Sequence, residues 1–355
     1  MKKHWWKALA FLLLAYTVWM GLSTPLSPGI THVASNSLSA GDSITLTITG
    51  YNTRFTETEN TVWLRTQSAT RNVNQEYHKA YLIPFATQAI SNSELQTQVY
   101  IPNILPGSSI DLFVNNDKDG TILYRNAFFA TNVLEAPISL NEAPIVTTSE
   151  EDYFSFPFQN ILYETIRNLN FHVTMWFTMM LILMISLWGS IRFLGTGNLR
   201  YDYWAEQAVN VGLLFAFLGL ITGSVWAKYT WGAWWVNDTK LNGAAVTTLI
   251  YLAYKVLRSA VNDDEKRGRL AAVYNIFAYA MLLVFIMVLP RMTDSLHPGN
   301  GGNPAFSSYD LDDNLRMVFY PAVIGWFWLA YWILKIQVRV KTIAATWEEK
   351  NEDLD

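Results

Sequence analysis

Cysteine is absent from this 355-residue chain. Without it the chain can build no disulfide, no zinc–thiolate centre and no thiol redox chemistry of its own. Charge is sparse too. Lys and Arg number 25 against 29 Asp and Glu, a net −4, and nothing in that balance points to nucleic acid. A glycine-rich nucleotide loop is also missing, so any use of ATP belongs to a partner. Tryptophan, by contrast, is abundant, with 15 copies. Such usage fits membrane-interface aromatics, ligand-facing aromatics, or both.

The apolar residues concentrate in six stretches, near residues 5–22, 171–194, 205–226, 241–257, 271–290 and 317–336. Crossing a bilayer takes about 20 residues of helix. The fourth stretch is shorter and more polar than the rest. Basic residues alternate with these stretches. Lys2, Lys3 and Lys7 precede the first; Arg192 and Arg200 follow the second. Lys255, Arg258, Lys266, Arg267 and Arg269 follow the fourth; Lys335, Arg339 and Lys341 follow the sixth. The opposite loops hold fewer: Lys228, Lys240, Arg291 and Arg316. The positive-inside rule then places both termini in the cytoplasm of a multi-pass inner-membrane protein. The first stretch has the basic start and apolar middle of a signal peptide as well, but GLSTPLSPG lacks a small-residue cleavage pattern.

Residues 30–140 are of another kind. SITLTIT alternates Ile44, Leu46 and Ile48 with polar residues, the period of a half-buried strand. VWLR, TQVYIP and SIDLFV read alike, and NNDKDG, from Asn115 to Gly120, joins SIDLFV to TILYRNAFFA as a hairpin turn. NNDKDG also resembles half of a calcium loop, but Asn126 stands where that loop carries glutamate. About seven short strands in this length predict an Ig-like sandwich outside the membrane. The expected architecture is a polytopic α-helical membrane protein with six transmembrane helices and an all-β domain between the first two. A first helix within 1–29 precedes the β domain. A linker at 141–160, a five-helix membrane domain at 161–340 and a cytoplasmic acidic tail at 341–355 follow it.

The stretch TWGAWWVNDTKL carries the strongest local signal. If it is helical, Trp231, Trp234, Trp235 and Asp238 share one face, a flat apolar shelf ending in a carboxylate. An aromatic belt, with Asn237 or Asp238 capping the next helix, is the plainer reading. Two of the five histidines, His172 and His297, fall at the same outer membrane level as this stretch. Imidazole binds haem iron from opposite faces, so two such histidines beside a tryptophan shelf can sandwich a porphyrin.

WGAWWVND resembles the WWD signature of haem-handling proteins, most closely the CcmC-type proteins of cytochrome c maturation. Trp231, Gly232, Trp234, Trp235, Asp238 and Leu241 match the pattern WGxWWxWDxxLT, while Asn237 replaces a tryptophan and Asn242 a threonine. RNLNFHV and SLHPG resemble the family's two histidine segments, with Thr174 where the first usually has proline. The resemblance covers the first stretch and residues 160–336, and leaves the β domain as an insertion. It implies that His172 and His297 are axial ligands of haem b. Arg167 and Lys240 are candidate partners for its propionates, and Asp238 a cap or a partner of Lys240. It further implies delivery of haem to a periplasmic haem chaperone, beside ABC-type transporter subunits, with no enzymatic role. One rival is the cytochrome c synthase component of the other WWD class, whose motif continues D-P-K-E where this chain has Thr239 and Lys240. Another is a non-haem receptor or scaffold built around the β domain.

Overall fold

A computed structural model describes residues 4–35, 43–67, 80–82, 84, 86–100, 109–129, 154–297 and 311–352. The chain divides into two compact units, Pro25–Tyr163 and a helical unit formed by Met1–Thr24 with Glu164–Asp355.

The first unit contains two four-stranded antiparallel sheets. One has the order β1 (Gly29–Ser35), β2 (Ser43–Tyr51), β6 (Glu94–Tyr100), β5 (Ala86–Ser91). The other runs β4 (Ala80–Leu82), β3 (Thr61–Gln67), β7 (Ser109–Asn116), β8 (Gly120–Phe129). Eight strands thus stand where about seven were expected. The alternation read in SITLTIT is realised: Ile44, Leu46 and Ile48 turn inward, and with Val62, Leu64, Leu95, Val99, Leu112 and Val114 they form one apolar core drawn from both sheets. The turn at NNDKDG follows from its side chains. Asn116 Oδ1 accepts from the Asp119 amide at 2.6 Å, and Gly120 takes the left-handed conformation, φ +72°, that a Cβ resists. Asp119 Oδ2 in turn accepts from the Arg54 amide at 2.8 Å. Within the described part of the predicted linker, Phe156 is paired with the start of this unit: Ser27 N donates to Phe156 O at 2.7 Å and Phe156 N to Pro25 O at 2.9 Å.

The helical unit comprises α1 (Trp5–Ser23), α2 (Thr174–Thr196), α3 (Leu199–Trp231), α4 (Thr239–Ser259), α5 (Asp264–Leu283), α6 (Leu289–Met292) and α7 (Asp313–Glu352). α7 continues well into the stretch read as an acidic tail. Five segments are long and apolar enough to cross a membrane: Trp5–Ser23, Tyr163–Thr196, Leu199–Trp231, Asp264–Met292 and Asp313–Glu348. α4 is not among them. Its 21 residues bury a polar face of Thr247, Thr248, Tyr251, Tyr254 and Arg258 against its neighbours.

α1 lies along α7, where Trp6 meets Trp328, Tyr331 and Trp332, and Lys7 sits 4.6 Å over the Trp332 ring. α2 and α3 form an antiparallel pair. Gly197, at φ +69°, ends one helix, and the Asn198 side chain caps the next by accepting from Arg200 N. Glycine lets the two approach closely: a Cβ at Gly212 would lie 2.6 Å from Leu183. Short connections reverse direction again at 232–238 and 260–263. The start of α2, the end of α3 and the start of α4 therefore share one end of the unit.

The other end carries a buried ion pair. Arg258 Nη1 and Nη2 meet Asp202 Oδ1 and Oδ2 at 2.7 and 2.8 Å, with Glu206 Oε2 3.4 Å from Nη2. Arg258, one of the basic residues that follow the fourth apolar stretch, is only 5% exposed and links α3 to α4. Removing one member of a buried pair strands the other, at about 3–5 kcal/mol, whereas apolar replacement of both is near neutral. Arg258→Ala should lower the melting temperature of the purified protein sharply. The double replacement Arg258→Met with Asp202→Leu should recover most of that loss. Equal melting temperatures for the single and double variants would contradict the assignment.

Candidate functional site

His172 stands on a single π-helical turn, Leu169–Val173, leading into α2. Such turns gather at functional positions. His172 Nδ1 lies 3.1 Å from both the Gly219 carbonyl oxygen and Thr222 Oγ1 on α3. A carbonyl only accepts, so Nδ1 carries the proton and a neutral ring keeps its lone pair on Nε2. Thr222 Oγ1 donates to Leu218 O at 2.8 Å, which leaves its own lone pairs toward the ring. Trp176 and Trp226 meet the imidazole edge to face, with centroids at 6.2 and 5.5 Å. Gly223 makes the approach possible: a Cβ there would lie 2.5 Å from His172 Cε1.

His297 is held by Asp238. Asp238 Oδ1 accepts from His297 Nδ1 at 2.9 Å, and also from Lys240 N and Leu241 N at 2.9 and 3.2 Å. Oδ2 accepts from Ser295 Oγ at 2.8 Å and from Leu296 N at 2.7 Å. One carboxylate thus caps α4 and fastens the 295–297 segment to it. Lys240 meets it through its backbone amide. Burial alone would raise the pKa of Asp238, but the bonds from His297, Ser295 and Leu296 outweigh burial and hold it below the ordinary carboxylate value. This anchoring is fully present above about pH 4 and is lost as pH falls further, the sign for a depressed acid. Trp231 meets the His297 ring edge to face at 5.1 Å. With Nδ1 donating, a neutral His297 also presents Nε2. Neither Nε2 makes a hydrogen bond among the described residues.

The WWVND segment is not a helical shelf. Gly232, at φ +80°, ends α3, and Lys228 Nζ donates to its carbonyl at 3.0 Å. The chain then runs irregularly to the Asp238 cap, so the i, i+3, i+4, i+7 face does not form. Trp234 and Trp235 are instead 57% and 44% exposed. Ser224 Oγ donates to Trp234 O at 2.7 Å, and Trp235 Nε1 donates to Asn242 Oδ1 at 3.2 Å. Asn242 Nδ2 donates to Asn237 Oδ1 at 2.8 Å. The two positions that depart from the motif therefore contact each other and brace Trp235. Arg167 lies on the turn before His172, where Nε meets Glu164 Oε2 at 2.6 Å and Nη1 donates to the carbonyls of Gly21 and Thr24 at the end of α1. Lys240 lies in the first turn of α4, where a helix N-terminus already favours anions.

Trp226 and Trp231, which contact the two imidazoles, are five residues apart on α3, an axial rise of about 7.5 Å. The donor set fits haem. Iron takes imidazole nitrogen, and ligating histidines generally donate their other N–H to a carboxylate or a carbonyl. Both histidines show that arrangement. Sequence reading did not assign roles to Gly219, Thr222, Gly223 or Ser295. The glycines' spacing of four, which puts both on one face of a helix, was the available signal.

Comparison with known proteins identifies the family. A family model described as Heme exporter protein C matches residues 131–352. The Heme exporter protein C of Bradyrhizobium diazoefficiens is 38% identical over 96 residues, 26% of this chain and 36% of that protein. That of Escherichia coli K12 is 34% identical over 96 residues, 25% of this chain and 36% of that protein. The cytochrome c biogenesis protein CcsA of Lemna minor is 32% identical over 78 residues, 22% of this chain and 24% of that protein. The aligned stretch therefore spans little more than a third of these relatives at most.

Gly223→Ala tests the site geometry. Alanine is the better helix former by about 1 kcal/mol, so α3 should persist while the His172 ring is pushed away. Haem retention by the purified variant should fall at least about tenfold, as for loss of an outer-shell contact. Unchanged retention with an unaltered absorption spectrum would contradict the placement of His172.

Proposed function

Because the chain belongs to the Heme exporter protein C family, we propose that it is a haem-handling protein of cytochrome c biogenesis that holds haem b between His172 and His297. The observation that carries this reading is the matched preparation of two imidazoles, each with Nδ1 engaged and, among the described residues, no hydrogen bond at Nε2. His172 and His297 supply nitrogen lone pairs. Trp231 fixes the His297 ring, while Gly232, Trp234 and Trp235 shape an exposed aromatic rim. Asp238 orients His297. Lys240, with the α4 N-terminus, offers positive potential to a propionate. Arg167 would share its guanidinium between such a group and the end of α1.

In this reading the protein sits in the inner membrane with both termini cytoplasmic. The buried polar face of α4 is turned into the bundle, which supports six spans rather than five. The strand orders β1-β2-β6-β5 and β4-β3-β7-β8 support an extracytoplasmic Ig-like domain, since they follow the A-B-E-D and C-F-G order of that fold with one added edge strand. The haem passes to a periplasmic haem chaperone, with ABC-type transporter subunits as neighbours. This chain performs no catalysis. The likeness to CcsA proteins favours a second reading, a component that attaches haem to apocytochrome thiols. Thr239 and Lys240 after Asp238 weigh against it.

The double variant His172→Ala with His297→Ala, inserted and folded, should lose haem. Either single variant should lose one axial ligand and regain part of its spectrum with added imidazole. His32→Ala, on β1, should change nothing. Retention of haem with an unaltered spectrum in the double variant would overturn the proposal.

A further inference from the structure

The two imidazoles are backed by different chemistry. His297 Nδ1 donates to a carboxylate, itself fixed by four further hydrogen bonds, while His172 Nδ1 meets a carbonyl and a hydroxyl, both neutral. A hydrogen bond to an ionised acceptor is roughly twice as strong as one between neutral groups, and it pushes electron density onto the far nitrogen. The anchors differ in the same direction. Asp238 ties His297 to a helix N-terminus, whereas His172 rests on a one-turn π-helix against a glycine surface.

We propose that His297, made the stronger donor by Asp238, is the retained ligand and that His172 is the one that releases first when haem leaves. Asp238 is then a positioning residue that sets the order of release. This rests on the reading that both histidines ligate haem. It adds a direction to the hand-over: the face on the His172 side opens first, and the departing haem stays on His297, whose segment Asp238 ties to the N-terminus of α4. The carboxylate behind His297 also favours the oxidised iron.

Transfer of haem from purified, haem-loaded protein to excess apomyoglobin reads the order. His297→Ala should release haem about ten- to a hundredfold faster than His172→Ala, the range an outer-shell partner such as Asp238 contributes to its ligand. Asp238→Asn keeps a side chain that can cap α4. Added to His172→Ala, it should speed release and raise the midpoint potential. Added to His297→Ala, it should change neither. Equal release from the two single variants, or equal acceleration by Asp238→Asn in both backgrounds, would overturn the proposal while leaving the ligand assignment intact. An unaltered spectrum in both single variants would overturn the ligand assignment and this proposal with it.

Discussion

The site depends on one carboxylate. Asp238 accepts five hydrogen bonds, from two amides of α4, from Ser295, from the Leu296 amide and from His297. A buried carboxylate is costly unless its lone pairs are met, and here they are met by groups that must themselves be placed. The same bonds that satisfy the charge therefore begin a helix, fold a connecting segment onto it and fix which nitrogen of His297 faces outward. Bonds to a charged group contribute about 1.5–3 kcal/mol each, so the loop has little freedom while Asp238 stays ionised.

α3 carries the geometry to the other imidazole. It presents Gly219, Thr222 and Gly223 to His172 and, further on, Trp226 and Trp231 to the two rings. Asp202, in its first turn, is held by Arg258 of α4. From Asp202 to Gly223 the helix rises about 30 Å. α3 and α4 are thus fastened at one end by a buried ion pair and joined at the other by the Gly232–Asp238 segment. Their relative placement at the site is set from both ends.

Much of this was legible in the sequence, for identifiable reasons. Apolar runs marked five segments long enough to cross a membrane, while the fourth run, shorter and more polar, formed α4; period-two alternation marked β2. Asn and Gly chemistry marked the β7–β8 turn. The motif singled out Asp238 and His297, which the structure brings into contact. The shape of that motif was not. Spacing makes Trp231, Trp234, Trp235 and Asp238 look like one helical face, but Gly232 adopts positive φ and ends the helix. A glycine in a tryptophan-rich run is a local stop that periodicity does not register. The polar partner of Arg258 was equally hidden, because a pair 56 residues apart leaves no pattern along the chain. Arg167 shows the converse. Its sequence position suggests a haem partner, while its hydrogen bonds go to Glu164 and to the end of α1.

The central claim is that two histidines, each with Nδ1 engaged, hold one iron through Nε2. Electron paramagnetic resonance of the oxidised, haem-loaded protein tests it most directly. Two neutral imidazole ligands give a six-coordinate, low-spin iron, and that low-spin signal is the predicted result. A high-spin signal from the intact protein, as from a single histidine or a water-ligated iron, would contradict it.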